Sequence, residues 1–143
     1  MTAEAAAPAE VFLVFRPRAP EQVLRWWQRL WTERHRAHVV ALVPAGAGTL
    51  AVDHCGSVMR LEWIDRPAED VARGLMWAWG GEAMRVRPVA VPRRPALRPL
   101  MTCVEVAKAL LGLPGFGVWT PGQLRRAAVR LGAQAVPPYP KGA

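Results

Sequence analysis

The chain has 143 residues, 52% of them hydrophobic, which is enough to bury one sizeable core in a single domain. No stretch approaches the roughly 18 to 20 apolar residues of a membrane helix, and "MTAEAAAPAE" lacks the basic start and apolar run of a secretory signal. The net charge of +8 invites an anionic partner, but the arginines are scattered and their densest run, "RVRPVAVPRRPALRP", is broken by prolines, so it is no recognition helix.

In chain order, "EVFLVFRP" (10–17) is a short Val/Phe-rich run, read as a strand that ends at Pro17. "PEQVLRWWQRLWTERHR" places Val23, Trp27, Leu30 and Trp31 at helical spacing behind Pro20, with His35 as a favourable cation at the helix end. "HVVALVPAGAGTLAVDHC" is two apolar runs around a glycine-rich turn, a hairpin, and "VMRLEWI" adds a third strand of the meander. "PAEDVARGLMWAWGG" reads as a helix with acids in its first turn and glycines at its end. "AMRVRPVAV" alternates, and Pro88 demotes it to an edge or bulged strand.

A stiff connector spans 92–99, and two helices follow. One is capped by Thr102 and stops at Gly112; the other starts at "TPGQL" and stops at Gly132. The tail "PPYPKGA" is expected to be extended. The expectation is an α+β fold, a mainly antiparallel β-sheet with packed helices. Residues 1–9 form a flexible N-terminus, 10–136 a single domain and 137–143 a C-terminal tail. The seven tryptophans are assigned to core and rim packing.

Cys103 follows the N-cap, so it is the first residue of a helix, where exposed N–H groups and the dipole favour a thiolate. Packing, a disulfide, a metal site and a nucleophile are all open to it. The three histidines and two cysteines are too dispersed for a recognisable zinc pattern, and no metal or cofactor is expected. The absence of a signal favours free thiols in a reducing compartment.

His38 opens a strand, and the hairpin returns Asp53 and His54 beside it. If the turn pairs Val43 with Leu50, His38 faces Cys55 with Asp53 as a diagonal neighbour; a one-residue slip brings His54 opposite instead. A thiol at a helix start, a strand histidine and a neighbouring polar strand residue are the parts of a cysteine-nucleophile triad. Cys55 is read as structural.

The order strand histidine, hairpin, "TCVEVAKALLGL", "GVWTPGQL" resembles the circularly permuted papain-like cysteine hydrolases, relatives of the NlpC/P60 peptidases, and more specifically small proteins of tailed bacteriophages. The resemblance covers about His38 to Gly132. It implies Cys103 as nucleophile, His38 as base and Asp53 or His54 as orienter. It also implies acyl transfer on a peptide or cell-wall amide, in a phage virion or the bacterial cytoplasm. The competing expectation is a non-enzymatic virion component, a tail or connector protein that contacts other phage proteins. Binding to nucleic acid ranks last for want of a recognition motif, and no membrane partner is expected.

Overall fold

A computed structural model describes residues 10–19, 26, 36–55, 58–89, 102–114 and 117–140. The predicted helix over 20–36, His35 within it, lies outside the described residues except for Trp26, which is helical, and Arg36, which is not; the connector over 92–99 lies outside them as well.

The unbroken apolar run of β1 (Val11–Arg16) has five of its six residues buried, as a strand covered on both faces requires. It is an inner strand, paired antiparallel with β2 (His38–Ala45) on one side and β5 (Glu82–Val86) on the other. β3 (Gly48–Cys55) and β4 (Val58–Ile64) complete the meander on the β2 side. A two-residue strand, β6 (Gln134–Ala135), pairs with β5. The order is β4-β3-β2-β1-β5-β6, and every pairing is antiparallel.

Alternation along the strands feeds two cores. Val11, Leu13, Phe15, Val39, Ala41 and Val52 meet the buried side chains of α2 (Cys103–Leu111) and α3 (Pro121–Arg130). Phe12, Val14, Val40 and Leu42 meet α1 (Ala68–Trp79) on the opposite face. Among the described residues the result is an α+β domain with α1 on one face of the sheet and α2 and α3 on the other. Among the described residues, no helix is long and apolar enough to cross a membrane.

Local chemistry sets the element ends. Gly46, at φ 57, is the first of two turn residues between Ala45 and Gly48, and Ala47 keeps a negative φ. That is the glycine-first turn whose twist matches a two-stranded hairpin. Thr102 accepts a hydrogen bond from the Glu105 N–H at 3.2 Å, and α2 closes at a left-handed Gly112. At α3 the capping box is complete: Thr120 accepts from the Gln123 N–H and the Gln123 side chain accepts from the Thr120 N–H, with Pro121 at the first position.

Two expectations need correction. β5 is not an edge strand, because β6 pairs outside it; it ends at Val86, so Pro88 never has to donate to a ladder. Nor are the tryptophans uniformly packing residues, since Trp26, Trp63 and Trp77 are exposed. The tail from 136 to 140 carries no helix or strand, although Val136 is buried beneath α1.

Candidate active site

The hairpin register decides which strand residues meet. Val43 pairs with Leu50, and the ladder runs from Ala45↔Gly48 to Ala41↔Val52. Of the two registers open to the sequence, this is the one that carries Asp53 to His38. The His38 Nε2 and Asp53 Oδ1 lie 2.6 Å apart, with both side chains about a quarter exposed or less. His54 is buried, in register with Met59 of β4. Asp53, not His54, is the group bonded to the imidazole.

α2 packs over β1, β2 and β3 on the face that holds Val39 and Val52, and its first residue, Cys103, is partly buried against that core. Burial alone would push the His38 pKa down; the hydrogen bond and charge of Cys103, followed by those of Asp53, outweigh it and raise the value from 6.5 to about 8. The imidazole is thus coupled to a thiol and a carboxylate, and both favour its protonated form.

Cys55, read from sequence as structural, is an exposed thiol in the same cluster. Its sulfur lies 3.9 Å from His38 Nε2 and 3.6 Å from each Asp53 oxygen. Burial, then the charge and hydrogen bond of Asp53, push its pKa up, which keeps it a neutral thiol. The signal for this position was already present in the chosen register, which sets Cys55 opposite His38. Both cysteines are free.

His38, Asp53 and Cys55 each offer one donor atom, and these atoms lie within 4.8 Å of one another. Imidazole, carboxylate and thiolate together are the donor chemistry of zinc. Proximity in the fold thus supplies what sequence spacing did not show.

Two polar assemblies hold the site's elements. Glu82 Oε1 accepts from Arg36 Nε at 2.6 Å and from Arg125 Nε at 2.7 Å, which ties β5, the residue two before His38, and α3 together. Burial alone would raise the Glu82 pKa; the two guanidinium groups overcome it and hold the carboxylate below its usual range. On α2, Lys108 and Glu105 form a fully buried ion pair. Lys108 Nζ also donates to the Val118 carbonyl at 2.8 Å and lies 5.0 Å from the Trp119 ring centroid. The loop that precedes α3 is thereby fixed to the cysteine helix. This pair was not read from sequence: opposite charges three apart on a helix usually mark a solvated face.

Comparisons with protein-family models, with curated proteins and with solved structures found no match.

Proposed function

We infer that the protein is a thiol hydrolase acting by acyl transfer on a peptide or amide, in a circularly permuted papain-like arrangement where base and orienter precede the nucleophile in the chain. One observation carries this reading. His38 is bonded to Asp53 through Nε2 and is electrostatically coupled to Cys103 at the start of α2.

The steps follow from those positions. In this reading Cys103, at the first helical position, gives its proton to His38 and is the nucleophile. The thiolate attacks the carbonyl carbon, and the oxyanion meets the Cys103 backbone N–H, which has no intrahelical acceptor. His38 gives its proton to the leaving amine as the C–N bond breaks and a thioester remains. The neutral imidazole then takes a proton from water, which attacks the thioester and returns the thiolate. Asp53 orients the ring throughout. A cell-wall stem peptide in a phage setting is the substrate favoured by the resemblance to bacteriophage proteins.

The test is turnover of peptide and cell-wall amides by the wild type, Cys103→Ser and His38→Ala. Both variants should lose turnover to a similar degree, and their effects should not add, because the two groups act as a unit. Turnover unaffected by Cys103→Ser would overturn the assignment. A wild type inert on every amide and ester would favour the virion-component role.

A further inference from the structure

β4 is an edge strand with almost every side chain in solvent. Val58, Met59, Leu61 and Trp63 are 55%, 43%, 63% and 57% exposed, although five of its seven residues are large and apolar. Among the described residues it pairs with β3 alone, so its outer row of N–H and C=O groups meets no strand. Proteins usually blunt such an edge with proline, a bulge or charged side chains; this strand has no proline or bulge, and its two charges, Arg60 and Glu62, are of opposite sign.

Its sequence, VMRLEWI, is complementary to itself when reversed about Leu61. Antiparallel pairing of two copies on that centre sets Val58 against Ile64, Met59 against Trp63 and Leu61 against its own counterpart. It also sets Arg60 against Glu62, twice. Opposite charges directly across an antiparallel pair stabilise it, and like charges there destabilise it. A register shifted by two residues along one strand would leave Arg60 facing its own counterpart or Glu62 facing its own, so the charges select the pairing centred on Leu61.

Trp63 is already positioned for this role. Its ring lies against Gly48, where an added Cβ would come within 2.3 Å of Cζ2, so the side chain packs on the sheet while remaining 57% exposed. Met59, Leu61 and Trp63 share one face of the strand, and Arg60 and Glu62 share the other.

We propose that the chain forms a two-fold symmetric dimer by antiparallel pairing of β4 with β4 of a second copy, centred on Leu61, which joins two six-stranded sheets into one. The occupant is a second copy because the charge pattern is its own complement, as an isologous interface requires. One strand pair is a small contact beside a standard interface of about 1,600 Å², and the dimer is expected to dissociate on dilution.

The experiment is sedimentation equilibrium of the full chain over a range of concentrations, with circular dichroism as a check on folding. The wild type should approach twice the 15.7 kDa of one chain as concentration rises. Arg60→Glu places two carboxylates opposite each other, Glu62→Arg places two guanidinium groups opposite each other, and each should be monomeric. The double variant restores both opposed pairs and should dimerise again. A wild type monomeric at every concentration would overturn the proposal. So would a dimer that survives either single substitution, or a folded double variant that stays monomeric.

Discussion

The imidazole Nε2 of His38 and the carboxylate Oδ1 of Asp53 lie 2.6 Å apart, across two strands joined by one tight turn. Asp53→Asn keeps the shape and removes the charge. The His38 titration should move down from about 8 towards 6.5, and turnover should fall about 10- to 100-fold, the usual loss when a group that orients a reactive ring is altered. His54→Ala should leave the titration in place. Imidazole NMR across pH reads both, and an unmoved His38 in Asp53→Asn would remove the carboxylate from its orienting role.

His38 binds its proton more tightly in the folded chain than in the unfolded one, so protonation stabilises the fold. That contribution is complete below pH 6.5 and is lost as pH rises through about 8. Its size is about 2 kcal/mol, from a shift of about 1.5 pH units. Urea unfolding of the wild type should show this loss on the alkaline side, and His38→Gln should not. Turnover should decline over the same window, because the leaving amine needs the His38 proton.

Thr102 caps α2 and holds the backbone that presents Cys103. Thr102→Ala should cost about 0.5 to 2 kcal/mol of stability and slow alkylation of Cys103 at neutral pH. Alkylation at the wild-type rate would separate the cap from the reactivity of the thiol.

Lys108→Met leaves the Glu105 carboxylate buried without its cation. The expected loss is about 3 to 5 kcal/mol. Adding Glu105→Leu should return much of it, because the buried charge is then gone as well. Denaturant titration of the single and double variants measures the difference, and equal loss in both would assign the effect to packing.

Zinc should compete with the proposed chemistry. His38, Asp53 and Cys55 present donors close enough to share one ion, so micromolar zinc should slow turnover. Cys55→Ala should retain turnover and weaken the inhibition, as steady-state rates with and without a chelator would show. Inhibition unchanged in Cys55→Ala would place the metal elsewhere.

Much of the fold was legible because its signals are local. The apolar runs of β2 and β3, the turn glycine and the caps at Thr102 and Thr120 each depend on a few neighbouring residues. The site was legible only as far as the register, since the choice between Asp53 and His54 turns on a single-residue slip that unbroken apolar runs leave open. Cys55 was undervalued because His38, which completes its cluster with Asp53, meets it across strands. β6 was missed because two exposed residues have no periodicity, and the Lys108–Glu105 pair because burial by loop 117–120 is a tertiary fact.

The hairpin joins His38 to Asp53 within sixteen positions, whereas Cys103 enters from a helix sixty-five positions beyond His38. Closing the short loop carries little entropic cost and forms quickly. As the chain emerges from the ribosome, His38 and Asp53 can therefore be in place well before Cys103 has been made. Under the proposed chemistry the helix that carries the nucleophile is added to a base and orienter already paired.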